Sequence, residues 1–218
     1  MVLSMARTQA LDYDKRRKTI TSTAAKLYAQ RGFLGTSVAQ IAAACRTSKS
    51  LLYHYYPSKE DVLFDVMDSH VQSLVKSAKE LGRTKLSAAE TVRHLAEELM
   101  NLYMDAQDHQ KVLLNELVNL PAARRKLIIE HQHQLLDIVD QLVLRLRPDL
   151  SKRHSERRAI GMLFFGMLNW THTWFNPSGP VKPAQFADMV SDTFLAGVKA
   201  YVLQGKTKAA AHRVSQTV

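Results

Sequence analysis

Residues 37–59, SVAQIAAACRTSKSLLYHYYPSK, predict two short helices separated by a sharp turn. Ser37 lies three residues before Gln40, which is the spacing of a capping box in which each side chain bonds to the other residue's backbone N–H. After a break near Arg46, Ser48 can cap the start of a second helix. Two short capped helices joined in this way indicate a helix-turn-helix unit, which places its second helix in the DNA major groove.

The second of these helices has one apolar side and one polar side. Leu52 and Tyr56 are four residues apart and therefore share the side that faces the protein interior. The opposite side presents hydrogen-bond donors: Lys49, Ser50, Tyr53 and His54. Donors of this kind read base edges and phosphates in the major groove.

Charge along the chain supports a nucleic-acid partner. The 218 residues carry a net charge of +10, and the excess lies at the two ends. Residues 1–57 hold nine basic side chains against Asp12 and Asp14, whereas residues 58–205 hold eighteen of each sign. A basic unit attached to a neutral body is the electrostatic footprint of a polyanion-binding module.

Residues 41–63 follow the order I-A-x-x-x-x-x-S-K-x-x-L-Y-H-Y-x-x-S-K-E-x-x-L, which resembles the DNA-binding signature of the tetracycline-repressor (TetR) family. The similarity covers residues 15–65. Arg46 departs from it, because the family has glycine at this turn. A left-handed backbone at an arginine would add on the order of 1 kcal/mol of strain.

The resemblance implies a dimeric, ligand-responsive repressor that binds a palindromic double-stranded DNA operator in the cytoplasm. In this mechanism the effector changes the spacing of the two DNA-binding units. The predicted DNA contacts include Lys59, which matches the family's phosphate-binding lysine, and the arginines of the first helix. The full set is Ser37, Thr47, Ser48, Lys49, Ser50, Tyr53, His54, Lys59, Arg16 and Arg17.

The hydrophobic period predicts an all-α chain with two domains. Residues 1–57 form the helix-turn-helix domain, with residues 1–13 as a mobile N-terminal arm, and residues 58–205 form a helical ligand-binding and dimerisation domain. Residues 206–218 are predicted to be a disordered tail. Within the body we expect one continuous helix over residues 151–175 and a last helix over residues 184–204.

The helix over residues 151–175 has the composition of a ligand site, because a few polar groups stand among bulky apolar ones. The alternative is that these aromatic residues only fill the core. The predicted ligand contacts are Phe165, Asn169, Trp170, His172, Thr173 and Trp174. Residues 113–126 and 169–181 are similar to TetR-type regulators that respond to acyl-CoA thioesters in fatty-acid and aromatic-acid catabolism. Phosphate contacts would then come from Arg124, Arg125, Arg157 and Arg158, unless these arginines are solvated and paired with acidic neighbours.

The last helix mixes large and small residues on one face, which favours packing between two subunits. The predicted interface residues are Phe186, Val190, Phe194, Gly197 and Tyr201.

Other functions find little support in the sequence. We found no nucleophile elbow, no phosphate-binding glycine loop and no cysteine pair, and therefore expect neither an enzyme nor a metal or cofactor site. No apolar run approaches the roughly 20 residues that a membrane span requires, so no membrane partner is expected. Two alternatives to the main hypothesis remain: a repressor that senses a drug-like hydrophobic molecule, and a DNA-architectural protein without a ligand.

Overall fold

The computed structural model describes residues 2–202, with side chains from residue 12 onward, and every element in this part is helical. Ten α-helices follow one another: α1 Val2–Arg31, α2 Val38–Ala44, α3 Lys49–Tyr55, α4 Lys59–Gly82, α5 Ala88–Asp105, α6 Gln107–Asn115, α7 Ala122–Leu146, α8 His154–Asn169, α9 Thr171–Trp174 and α10 Pro183–Ala200. Short 3-10 turns cover Leu117–Asn119 and Pro148–Leu150. Within residues 2–202, no helix is both long and apolar enough to cross a membrane.

The predicted caps of the helix-turn-helix are confirmed. Gln40 N donates to Ser37 Oγ (3.2 Å) and Ser37 N donates to Gln40 Oε1 (2.8 Å), which completes the capping box of α2. Leu51 N donates to Ser48 Oγ (3.1 Å) at the start of α3. Both caps satisfy backbone donors that the first turn of a helix leaves unpaired.

The turn between α2 and α3 is a Schellman motif with arginine at the left-handed position. Arg46 has φ 52°, Arg46 N donates to Ala43 O (3.0 Å), and Thr47 N donates to Ala42 O (2.9 Å). These two bonds satisfy carbonyls at the end of α2 and turn the chain into α3. The expected strain at Arg46 is therefore present.

Two helix predictions were wrong. The mobile arm predicted for residues 1–13 is helical from Val2, because this stretch has no glycine or proline and is rich in good helix formers. The helix predicted for residues 151–175 instead divides into α8 and α9. The side chains of Thr171, His172 and Thr173 each bond to the backbone carbonyl three residues earlier, at 2.5, 2.7 and 2.7 Å. Such bonds compete with helix hydrogen bonds and end α8 at Asn169.

The last helix predicted for the body, over residues 184–204, is present as α10. The last helix, α10, ends at Ala200 rather than at residue 204. The tail predicted for residues 206–218 lies outside the described residues. In the body, α10 packs on α5 and α8, and α4 packs on α7, so that α4 to α10 enclose one apolar core.

We expect Arg46→Gly to stabilise the chain by about 1 kcal/mol, because glycine adopts φ 52° without the clash of a Cβ. Chemical unfolding of the two proteins measures this difference. Arg83→Gly is the matched control, since Arg83 ends α4 with an ordinary φ of −91° and gains nothing from glycine. Equal effects at the two positions would contradict the assignment of strain to Arg46.

Candidate nucleic-acid interface and ligand cavity

Helix α3 presents its predicted donors to solvent. Lys49, Ser50, Tyr53 and His54 are all exposed, whereas Leu52 is fully buried against the other helices of the unit. The side of α3 that carries these four residues is therefore free to enter a groove. Ser37 and Ser48 lie at the starts of α2 and α3, where each hydroxyl accepts a cap bond and keeps its own proton for donation.

Lys59 is held inside the protein rather than offered to DNA. Its Nζ donates to Phe33 O (2.9 Å) and Thr36 O (3.0 Å), and it lies 3.9 Å from the centre of the Phe33 ring. An ammonium has three N–H groups, and these three contacts account for them. These contacts tether the first turn of α4 to the loop that follows α1, and the phosphate contact of Lys59 stays a prediction.

Arg17 is likewise engaged within the chain. Its guanidinium donates to Asp65 Oδ2 (2.7 Å) and to Tyr56 OH (3.3 Å), and the Tyr56 hydroxyl donates to the same carboxylate. This cluster joins α1, the end of α3 and α4. Arg16 differs, since it is exposed and lies 3.5 Å from Asp12 in a weak surface pair. Both predicted phosphate contacts in α1 keep exposed side-chain surface, 52% for Arg16 and 39% for Arg17, but the guanidinium of Arg17 is already hydrogen-bonded within the chain.

The body contains a cavity of about 260 Å³. Its walls come from α4, α5, α6, α7 and α8 and are mainly aliphatic and aromatic. Among the predicted ligand residues, Phe165 and Asn169 line it. The exposed side chains of His133 and Met162 mark its mouth between α7 and α8. No lysine or arginine is among the described lining residues: Val71, Leu74, Tyr103, Gln110, Leu113, Leu114, Ile129, Gln132, His133, Leu135, Leu136, Met162, Phe165 and Asn169.

One wall of the cavity is a buried polar network. Asn169 Oδ1 accepts hydrogen bonds from Tyr103 OH (2.8 Å) and Gln110 Nε2 (3.2 Å), and Gln110 Oε1 lies 2.8 Å from His70 Nε2. Burial lowers the pKa of His70 to about 4, so its imidazole is neutral at pH 7. Burial also raises the pKa of Tyr103, whose hydroxyl keeps its proton. The wall is therefore polar but uncharged, and it links α4, α5, α6 and α8.

Four predicted ligand residues do not line this cavity. Trp170 and Trp174 are exposed to 65% and 56%, because the end of α8 turns them outward. His172 and Thr173 bond to backbone carbonyls at the helix break. Sequence reasoning missed His70, Tyr103 and Gln110. The sequence feature that could have identified them is a polar residue on the apolar face of a helix. That feature can be recognised only after the buried face of each helix has been assigned.

The arginines proposed for phosphate contacts divide into two pairs. Arg124 forms an ion pair with Asp61 and lies over the Phe64 ring, while Arg157 is buried beside Asp140 (3.2 Å) and donates to Leu150 O (2.8 Å). Both of these arginines are therefore structural.

The other two arginines lie one helical turn from residues that line the cavity. Arg125 is one helical turn before Ile129 in α7, and Arg158 is one turn before Met162 in α8. Arg158 also forms an ion pair with Asp137, which lies one turn beyond His133.

The predicted interface residues of α10 are only partly accessible. Val190 and Phe194 are 4% exposed, because α10 buries them against α5 and α8, and this part of the interface prediction is wrong. Phe186 and Tyr201 are half-buried. Gly197 is exposed, and a Cβ added there would meet nothing within 4 Å.

The outer faces of α8 and α10 instead carry two exposed stripes at helical spacing. Their members are Ala159, Leu163 and Gly166 in α8 with Trp170 directly after it, and Met189, Thr193, Ala196 and Ala200 in α10.

Two sequence profiles match the chain. The profile described as "Bacterial regulatory proteins, tetR family" matches residues 20–66, and the profile described as "Tetracyclin repressor-like, C-terminal domain" matches residues 85–198. Between them they cover α2, α3 and nearly all of the helices that surround the cavity.

Similar proteins are regulators of transcription. The HTH-type transcriptional activator FasR of Mycolicibacterium smegmatis is 25% identical over 174 residues, which is 78% of this chain and 77% of that protein. A TetR-family regulator from Bordetella parapertussis has 35% identity and a TM-score of 0.80, over 86% of this chain and 97% of that one. The crystal structure of AibR in complex with isovaleryl coenzyme A and operator DNA has 26% identity and a TM-score of 0.71, over 82% and 97%.

We expect Lys49→Met and Lys59→Met, a matched pair of substitutions, to separate DNA contact from tethering. Lys49→Met should weaken DNA binding and lower the slope of log affinity against log salt by about one unit, because one phosphate or base contact loses its cation. Lys59→Met should leave that slope unchanged and lower the free energy of unfolding by about 2 kcal/mol, because two buried carbonyls lose a charged donor.

Fluorescence anisotropy on a DNA site selected from a random-sequence pool measures the salt slopes, and chemical unfolding measures the stabilities. A salt slope reduced by Lys59→Met in a fully folded protein would show that this lysine contacts DNA.

Proposed function

Because this chain belongs to the TetR family of bacterial transcriptional regulators, we propose that it is a repressor released from its operator by a small hydrophobic effector. As a homodimer it binds a palindromic site in the bacterial cytoplasm through the exposed side of α3. The effector enters the cavity of the body. We favour a regulator over an enzyme because the similar proteins are regulators of transcription.

The observation that carries the proposal is the position of α6. This helix packs against α1 and α4, and its residues Gln110 and Leu113 line the cavity. A ligand that displaces α6 therefore also acts on α1, which is the first helix of the DNA-binding unit. The ligand must favour the displaced arrangement, since equal affinity for both arrangements would leave the equilibrium unchanged.

The cavity also favours a regulator over an architectural protein. A body that served only for dimerisation would gain stability from a filled core, and an unfilled volume lowers stability in proportion to its size. Here a hollow of about 260 Å³, open at one side, lies among otherwise well-buried helices. A hollow kept at such a position is consistent with a site for a ligand.

For the effector we propose an acyl-CoA thioester. The apolar, uncharged cavity suits an acyl chain, and an unpaired carboxylate would be costly to bury there. The nucleotide would remain outside, with its phosphates bound by Arg125 and Arg158, each one helical turn from a residue that lines the cavity. Arg158 would then exchange its pairing with Asp137 for a phosphate oxygen. The relative crystallised with isovaleryl coenzyme A supports the same chemistry. The second candidate is a plain hydrophobic molecule, which would need neither arginine.

The homodimer rests on the stripes of α8 and α10. Small residues such as Gly166, Ala196 and Gly197 allow close approach of a second helix, and exposed Leu163 and Met189 supply apolar area. Two helices from each subunit would form a four-helix interface about a two-fold axis. Such symmetry matches a palindromic operator, because each half-site then meets an identical α3.

We expect acyl-CoA thioesters to release the operator while the corresponding free acids do not. The double variant Arg125→Ala, Arg158→Ala should need about tenfold more thioester, because two cationic contacts to phosphate are lost. Arg153→Ala is the control, since Arg153 is exposed and paired with Glu156 away from the mouth. Operator anisotropy during titration measures release. Release by free acids or neutral dyes alone, with the double variant unaffected, would exclude the acyl-CoA effector in favour of the plain hydrophobic one.

A second variant, Gly197→Glu with Ala200→Glu, should give monomers that bind the operator at least about a hundredfold more weakly, because each unit alone contacts one half-site. Both positions are exposed in the monomer, so the fold should tolerate the change. Ala122→Glu with Ala123→Glu, at the exposed start of α7, is the matched control. Sedimentation that shows a tight dimer for the first variant would place the interface elsewhere.

A further inference from the structure

A second, smaller hollow lies directly behind the polar wall of the ligand cavity. It measures about 130 Å³ and is lined by residues of α5, α6 and α9: Tyr103, Met104, Gln107, Asp108, Gln110, Lys111, Thr171, His172 and Phe175. Tyr103 and Gln110 belong to the walls of both hollows. Asn169, which accepts hydrogen bonds from both of them, completes the wall on the cavity side. We refer to Tyr103, Gln110 and Asn169 as the partition.

The partition is closed by hydrogen bonds rather than by packing alone. Tyr103 OH donates to Asn169 Oδ1 at 2.8 Å, and Gln110 Nε2 donates to the same oxygen at 3.2 Å. Gln110 is held in turn by His70. One amide oxygen therefore joins three helices, and its removal would free both neighbours at once.

The end of α8 fixes Asn169 in this position. Its backbone carbonyl accepts from His172 Nδ1 (2.7 Å), and Thr171 Oγ1 bonds to Leu168 O (2.5 Å), so the chain turns immediately after Asn169. The same turn brings Thr171, His172 and Phe175 around the smaller hollow. The break between α8 and α9 therefore positions Asn169 in the partition and also positions the residues that line the smaller hollow.

We propose that the partition, through Asn169, determines the maximum length of the effector's apolar chain. This inference rests on the proposed function, in which an acyl chain occupies the cavity. A chain that ends before the partition leaves the hydrogen bonds intact. A longer chain must displace the Asn169 side chain and enter the smaller hollow.

The two opposing effects predict an affinity that does not rise steadily with chain length. Each methylene buried in an apolar site improves binding about fourfold. Two buried hydrogen bonds left unmade weaken binding by on the order of a hundredfold. A chain that extends one or two carbons past the partition therefore binds more weakly than one that stops short of it. Only several further methylenes could recover the loss.

Three substitutions separate the possible roles of the partition. Asn169→Ala removes the blocking side chain and joins the two hollows. Asn169→Leu removes the same hydrogen bonds but leaves a side chain of similar length in the way. Tyr103→Phe keeps the ring and removes one hydrogen bond to Asn169. Asn101→Ala, at an exposed position of α5, is the control for an asparagine lost elsewhere in the body.

The test measures direct binding by titration calorimetry on the full-length protein. The probes are straight-chain acyl thioesters of N-acetylcysteamine, from butyryl to palmitoyl, which carry the thioester without the nucleotide. Wild type and Asn101→Ala should reach a maximum affinity and then fall by tenfold or more. Asn169→Ala should bind the longer chains without this fall, and each further methylene should add less than fourfold, because Gln107, Asp108 and Lys111 are among the residues that line the smaller hollow. Asn169→Leu should keep the chain length of maximum affinity, because its side chain still blocks the way, but its affinity should fall less steeply beyond that length, because it has no hydrogen bonds to lose. Tyr103→Phe should make the fall about tenfold smaller.

Several results would overturn the proposal: an unchanged limit in Asn169→Ala, an equal shift in Asn169→Leu, or no binding of any thioester. Operator release in the same samples reports separately on the proposed function. If the length limit moves as expected but no thioester releases the operator, the repressor mechanism fails and the role of the partition stands.

Discussion

The first turns of α4 carry charged contacts in two directions, to the DNA-binding unit and to α7 of the body. Lys59 donates to carbonyls of the loop that follows α1, Asp65 accepts from Arg17, and Asp61 pairs with Arg124 of α7. These groups are partly shielded from water, so leaving one unpaired would be unfavourable. Two of these ties hold the DNA-binding unit to α4 and the third holds α4 to α7, so the orientation of the unit depends on α4.

Local features of this protein were predictable from the sequence, and long-range ones were not. The caps at Ser37 and Ser48 and the strained turn at Arg46 depend on residues within five positions of one another. The tether of Lys59 to Phe33 spans 26 residues, and that of Arg17 to Asp65 spans 48. A basic residue next to a DNA-binding helix is typical of a phosphate contact. Only the folded structure shows which carbonyl or carboxylate of the chain accepts hydrogen bonds from such a residue.

In the helical body, too, some features were predictable from the sequence and others were not. Its helical content follows from hydrophobic period, but the division of α8 from α9 does not, because three side chains in a row override the helix locally. The aromatic residues around that break were predicted to surround a ligand. Instead both tryptophans lie outside the cavity, and one of its walls consists of polar groups from four helices, of which Tyr103 and Asn169 are 66 residues apart. Such a wall leaves no compact motif in the sequence.

The placement of the aromatic residues also decides what spectroscopy can observe. Trp170 and Trp174 are the two tryptophans of the chain, and both are exposed near the outer faces of α8 and α10 rather than in the cavity. Trp174 lies against Phe175 and Phe186, with ring centres 5.6 and 5.5 Å away. The intrinsic emission of this protein is therefore sensitive to whatever covers that face. A blue shift on raising the protein concentration reports assembly of subunits, whereas a ligand that fills the cavity alters emission only indirectly, by moving α8.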